Sequence, residues 1–263
     1  MNIKVNASIS DFPIFIPLET FFKEYKKAGV DGVEIVGGYK SRWSMKTILS
    51  YAKKYQLPVM SIHQPLWSGI NVYFDEKFFA NLARREIKKI TFHPLTLLPF
   101  SSPTMQKYFN RLASLQEKYD ITVCLENMPD DRYYHKLYNY PNNKFLSHLE
   151  DMYNIAQAYG FSLTYDVSHA ELAAPQKEKV FNKIFSTIAN IHLSSFNNVK
   201  HHLPVYEGNL DTDGFIEFLL KKQYKGLITL ELNRSFFLSI IAPYNFSGMA
   251  KSVAYIKEKA RTL

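Results

Sequence analysis

Eight times along this chain a short apolar run is followed by a longer stretch with helical periodicity. IKVNASIS leads to PLETFFKEYKKAG, GVEIVGG to MKTILSYAKKYQ, PVMSIHQP to EKFFANLARREI, and KKITFHPL to PTMQKYFNRLASLQEKYD. ITVCLENM leads to KFLSHLEDMYNIAQAYG, FSLTYDVS to KEKVFNKIFSTIA, NIHLSSF to GFIEFLLKKQYKG, and LITLEL to GMAKSVAYIKEKA. Parallel strands cannot be joined by a tight turn, so strand-then-helix repetition is the order that a parallel sheet with crossover helices demands. The runs read as continuously apolar rather than alternating, as strands buried on both faces do. Eight units predict an α/β fold, a single (β/α)8 barrel over residues 1–263 with its active site at the C-terminal rim. The competing fold, an open doubly wound sheet, usually carries G-x-G-x-x-G after its first strand, and here that place holds DFPIFIPLE. Gly29, Gly160 and Gly226 stand between a helix and the next strand, as C-cap glycines do.

The 263 residues, 46% of them hydrophobic, suffice for one such domain and a full core. One cysteine, Cys124 in ITVCLE, excludes a disulfide framework; it reads as a small buried hydrophobe in a protein of a reducing compartment. MNIKVNASIS enters a strand pattern with no signal-peptide features, and FFLSIIAP is too short to span a bilayer. The expectation is a cytoplasmic protein with no membrane partner. A net charge of +8 permits a polyanionic partner such as nucleic acid or a phosphorylated sugar. The lysines, however, are spread over helices such as FFKEYKK and FLLKKQYK, where a solvated face explains them. Exposed aromatics among the 20 Phe and 18 Tyr would support a homodimer.

The apolar runs share a second property. His63, His93, Glu126, Asp166, His192 and Glu231 stand at or near their C-terminal ends, with His169 close behind Asp166. Acids and imidazoles are costly at the buried end of a strand unless something binds them. Spaced at roughly one per βα unit, these six would converge on one rim of a barrel. Together they make a mixed N/O set suited to a divalent metal: Zn, Mn, Mg or Co. Without a cation the same residues would form a polar network.

ITVCLENMP, LTYDVSHAE, NIHLSSF with HHLPVYEGNLDTDGF after it, and YKGLITLEL resemble the xylose-isomerase-like TIM-barrel superfamily. That group includes sugar isomerases, epimerases and apurinic-site nucleases of the endonuclease IV type. In its epimerase branch, the resemblance implies one metal on Glu126, Asp166, His192 and Glu231. The two glutamates would be the acid/base pair acting through an enediolate on a small sugar or polyol, and His169 would bind a substrate hydroxyl. In its nuclease branch, it implies a second metal on His63, His93 and a bridging Glu126, with His169 and His202 serving a third. Two departures weaken the nuclease reading: Lys200 and Ser195 stand where that branch has acids. Asn198 and Lys200 also occupy the stretch where the epimerases carry an arginine. A barrel that binds sugar or metal without turnover is the remaining alternative.

Several further residues have two readings. Trp67 and Tyr73 either wall a substrate site or pack their loop on the rim. The loop from Arg132 to Tyr140, rich in tyrosine, is either a stacking lid or a self-packed surface loop. Asn127 either orients Glu126 or binds substrate. Glu34 either partners a ligating histidine or makes a simple salt bridge. His135, His148 and His201 read as surface residues.

Overall fold

The computed structural model describes residues 3–10, 15–37, 42–64, 75–94, 100–128, 149–173, 177–197, 201–232 and 244–262. Its strands are β1 (Val5–Ser10), β2 (Gly32–Val36), β3 (Val59–His63), β4 (Lys89–Phe92), β5 (Thr122–Glu126), β6 (Ser162–Asp166), β7 (Ile188–Leu193) and β8 (Leu227–Leu230). They run in chain order as a closed parallel barrel, β8 pairing back onto β1. The helices between them are α1 (Leu18–Ala28), α2 (Met45–Tyr55), α3 (Glu76–Ala83), α4 (Pro103–Tyr119), α5 (Leu149–Tyr159), α6 (Val167–Ala173), α7 (Lys177–Ile184), α8 (Thr212–Lys221) and α9 (Phe246–Thr262). The expected fold class is therefore the observed one. Among the described residues no helix is long and apolar enough to cross a membrane.

The chain groups into two compact units, Met1–Met60 with His192–Leu263, and Ser61–Ile191. In the first, β1 pairs with β2 from Asn6↔Gly32 to Ser10↔Val36, and with β8 at Val5↔Ile228 through Ala7↔Leu230. One face of these strands is apolar, with Val5, Ala7, Ile9, Val33, Ile35, Ile228 and Leu230 buried. The other carries Asn6, Ser8, Glu34 and Thr229, also buried. Gly32 shares this polar face. A Cβ there would lie 2.6 Å from Met60 Cγ and 2.7 Å from Asn6 Oδ1, so those side chains would have to shift to admit one.

In the second unit, β3 pairs with β4 (Ile62↔Ile90), β4 with β5 (Thr91↔Cys124) and β5 with β6 (Glu126↔Thr164). Ile62, Ile90, Phe92, Val123, Leu125 and Leu163 form the apolar face, and Ser61, His63, Thr91, Cys124, Glu126, Thr164 and Asp166 alternate with them. Cys124 is fully buried, as expected. Thr91 and Thr164 meet through their hydroxyls at 2.9 Å. The strands therefore do alternate, contrary to the reading of continuous apolar runs. Both faces are buried, but one is lined by small polar groups instead of the branched residues that usually fill a barrel.

Gly29 (φ 79°) and Gly160 (φ 70°) adopt the left-handed conformation after their helices. Gly226 does not. The left-handed residue after α8 is Gln223 (φ 52°), because α8 ends at Lys221 and the chain turns at once. Gln56 and Asp120 do the same after α2 and α4. The segment after Asp166 also differs from expectation. It is helix α6, so His169 sits in a first helical turn and not at a strand end.

Candidate metal centre

In the unit Ser61–Ile191 the centre is organised around Glu126, the last residue of β5 and 1% exposed. One of its oxygens, Oε2, lies 2.8 Å from His63 Nε2 and 3.0 Å from His93 Nε2. Gln64 holds both histidines. Its carbonyl lies 2.6 Å from His63 Nδ1, and its side-chain Oε1 accepts from the His93 backbone N–H at 3.2 Å. A carbonyl only accepts, so His63 Nδ1 carries a proton, and Nε2 either donates a second proton to the Glu126 carboxylate or offers its lone pair. A lone pair facing a carboxylate oxygen at 2.8 Å is repulsive unless a proton or a cation stands with them. A ligating histidine typically donates its other N–H to a carbonyl in this way.

Asp166, at the end of β6, divides its carboxylate. Oδ1 caps α6, accepting from the His169 backbone N–H at 2.7 Å and from Ser168 Oγ at 2.8 Å. Oδ2 is buried and accepts no hydrogen bond among the described residues. A buried carboxylate oxygen in that state costs free energy unless a cation or water meets it. Asn127 locks the two strand ends together: Nδ2 donates to the Asp166 carbonyl at 2.9 Å and Oδ1 accepts from the Asp166 N–H at 2.8 Å. Its own carbonyl takes His169 Nδ1 at 2.9 Å, which leaves Nε2 of that ring as the lone-pair nitrogen. Glu126, Asp166 and His169 each offer a ligand atom, all within 4.8 Å of one another. The donor chemistry, the orphaned Asp166 Oδ2 and the tautomers fit a divalent cation.

The unit Met1–Met60 with His192–Leu263 holds a second set. His192, fully buried on β7, has Glu34 Oε1 2.9 Å from Nε2 and Glu231 Oε2 2.9 Å from Nδ1. Glu231 follows β8, and its backbone N–H reaches the Leu193 carbonyl at 3.4 Å. His202, at φ 55°, has Nδ1 3.3 Å from Ser194 Oγ and its ring against His201.

The chain matches the model of the xylose isomerase-like TIM barrel family over residues 22–259. It belongs to that family. An uncharacterised protein of Methanocaldococcus jannaschii is 25% identical over 240 residues, covering 82% of this chain and 84% of that one. Among solved structures, 3-keto-D-glucoside 4-epimerase from E. coli is similar at a TM-score of 0.69 and 17% identity, covering 99% and 100% of the two chains. A family 2 AP endonuclease from Brucella melitensis reaches 0.70 and 16%, covering 97% and 99%. At these identities the likeness is one of fold.

In this xylose isomerase-like barrel the residues singled out from sequence are contributed by both units. The ligand candidates Glu126, Asp166, His63 and His93, with His169 and Asn127, belong to the unit Ser61–Ile191, and the candidates His192, Glu231 and His202, with Glu34, to the other. Glu34 was legible as a histidine partner, and β7 supplies that histidine. Gln64 and Ser194 were not legible as partners, since nothing in SIHQP or NIHLSS says which way an amide or hydroxyl turns. Ser195 pairs its backbone with Leu203, and its hydroxyl accepts from the Leu210 N–H at 3.3 Å. It therefore pins the loop after β7, and a Cβ on Gly208 would strike it. His201 is half-buried rather than exposed. Trp67, Tyr73, the 132–140 loop, His135, His148, Asn198 and Lys200 lie outside the described residues.

Proposed function

We propose that this chain is a divalent-metal-dependent isomerase or epimerase of a small sugar or related polyol, with Glu126 and Glu231 as its proton-transferring pair. The observation that carries the reading is the placement of these two glutamates. Each stands at a strand end with one carboxylate oxygen against histidine nitrogen, Glu126 against His63 and His93, Glu231 against His192. Carboxylates placed at the strand ends of a barrel are positioned for proton transfer. The metal ligands in this reading are Glu126, Asp166, His192 and Glu231. Zn, Mn, Mg and Co all suit such a set. A divalent cation, when bound, stabilises charge developing on the carbonyl and hydroxyl oxygens of the substrate.

The chain's own residues carry the remaining steps. One glutamate removes the proton from the carbon beside the carbonyl, giving the enediolate, and the other delivers a proton. His169, anchored through Nδ1–H on Asn127, presents Nε2 to a substrate hydroxyl. The test is solvent exchange. Mn-loaded protein incubated with ketohexoses and ketopentoses in D2O should wash deuterium into the carbon beside the carbonyl, read by proton NMR. Glu126→Gln and Glu231→Gln should each slow this by at least about 100-fold. Exchange that survives both substitutions sinks the reading.

One observation favours a second reading, a binuclear phosphodiester hydrolase: His63 and His93 converge on a single oxygen of Glu126. Bridged metals suit that chemistry because attacking and leaving oxygens both need charge stabilisation. Ser195, committed to loop backbone where that branch has an acid, counts against it. Elemental analysis separates the two. A count of two metals that falls to one in His93→Ala, with incision of apurinic DNA lost alongside, would replace the isomerase reading.

A further inference from the structure

The carboxylate of Asp166 is fully buried at the end of β6, and its two oxygens are treated differently. Oδ1 accepts twice, from the His169 backbone N–H at 2.7 Å and from Ser168 Oγ at 2.8 Å. Oδ2 accepts no hydrogen bond among the described residues. Capping α6 does not account for this. Serine and asparagine cap a helix about as well as aspartate and would bury no charge beside the cap. An aspartate here is explained by what its second oxygen meets. Three groups hold it. Asn127 grips the main chain of Asp166 through both its N–H and its carbonyl. The His169 N–H alone would leave the carboxylate free to swing about its Cβ–Cγ bond, a torsion with a broad minimum. Ser168, itself fully buried, supplies the second donor and removes that freedom.

We propose that Ser168 is a positioning residue of the metal centre. Its hydroxyl donates to Asp166 Oδ1 and, with the His169 N–H, reserves that oxygen for the protein, so that Asp166 offers a divalent cation Oδ2 alone. The inference rests on the reading of Asp166 as a metal ligand. It adds which oxygen ligates and which residue decides that. Every group it uses belongs to the unit Ser61–Ile191.

The test compares wild type, Ser168→Ala and Ser168→Thr by Mn2+ titration, reading free Mn2+ by electron paramagnetic resonance. Melting curves of the metal-free proteins are taken alongside. Ser168→Ala should bind Mn2+ about ten- to hundred-fold more weakly. Ser168→Thr, which keeps the hydroxyl, should recover most of that loss. A serine that only stabilises the fold would lower the metal-free melting point and leave Mn2+ affinity unchanged, and that result overturns the proposal. So does an equal loss of affinity in both variants. A crystal of Mn2+-loaded wild type decides the matter should the variants fail to fold. Anomalous scattering should place the ion on Asp166 Oδ2 with Ser168 Oγ still on Oδ1, and an ion on Oδ1, or shared by both oxygens, overturns the proposal. Wild type that binds neither Mn2+ nor Zn2+ by elemental analysis removes the metal-dependent function itself, and this inference with it. Equal Mn2+ binding by wild type and Ser168→Ala leaves that function standing and removes only this inference.

Discussion

Asn127 is committed at both ends of its amide, to the N–H and the carbonyl of Asp166, with all partners buried. Truncation leaves two buried backbone groups unmet, each worth about 1–3 kcal/mol. Asn127→Ala should therefore lower stability by roughly 2–5 kcal/mol in urea unfolding, well beyond an ordinary surface substitution. Gln56 and Gln223 illustrate the opposite case. Both hold left-handed backbone without being glycine, a conformation that costs an L-residue roughly 1 kcal/mol. Gln56→Gly and Gln223→Gly should each be neutral or raise stability by up to about 1 kcal/mol by the same measurement. A clear loss would mean that the glutamine side chain contributes more than its backbone costs. Neither position could be picked from sequence, where glycine was the only signal available. Gly226 was read as a cap because it is a glycine, and the turn had already been made three residues earlier.

The helices carry a repeated device. An acid in the first turn of one helix receives a lysine and a tyrosine from the helix that follows it. Glu19 of α1 takes Lys54 and Tyr55 of α2, Glu76 of α3 takes Lys118 and Tyr119 of α4, and Asp213 of α8 takes Lys259 and Tyr255 of α9. Hydrogen bonds from the lysines, then from the tyrosines, hold all three carboxyls below their ordinary range. An acid whose folded pKa is depressed contributes stability that is present above its unfolded pKa, about 4, and is lost as pH falls through the folded value. These groups are at the surface, so the effect is small and salt-screened. The melting point should fall as pH drops below about 4, and 0.5 M NaCl should flatten that fall. A slope unaffected by salt would assign acid sensitivity to the buried centre instead. The pairing was invisible in the sequence because its partners are tens of residues apart and meet only when neighbouring helices pack.

For the molecule as a whole, two titrations are expected, one alkaline and one by metal. Tyr25, Tyr108 and Tyr165 are buried and Tyr244 is half-buried, and loss of hydration raises all four phenols above their ordinary range. A group whose folded pKa is raised contributes stability that is complete below its unfolded pKa, about 10, and lost as pH rises towards the folded value. Unfolding free energies from urea titrations should therefore fall above pH 10 by up to about 1.4 kcal/mol per pH unit for each such tyrosine. Tyr244→Phe should lessen that slope. It would also remove the 2.7 Å hydroxyl contact with Tyr25, which itself donates to the Ser8 carbonyl at 2.7 Å. Metal should act in the other direction. If the proposed centre is right, Zn2+ or Mn2+ at about 100 times its Kd should stabilise the fold by about 2.7 kcal/mol, and a chelator should reverse it. An unchanged melting curve would argue against a metal that binds the native state. The sequence by itself determined the barrel, because eight strand–helix repeats admit few parallel arrangements, and it marked the acids and imidazoles at the strand ends as costly to bury. It also marked Glu34 as a candidate partner of histidine. Only the tertiary structure decided who holds whom: Gln64 under His63 and His93, Asn127 across to Asp166, Glu34 against His192. Those contacts join residues on different strands, and the direction of a side chain is set by strand register and closure, which local periodicity does not encode.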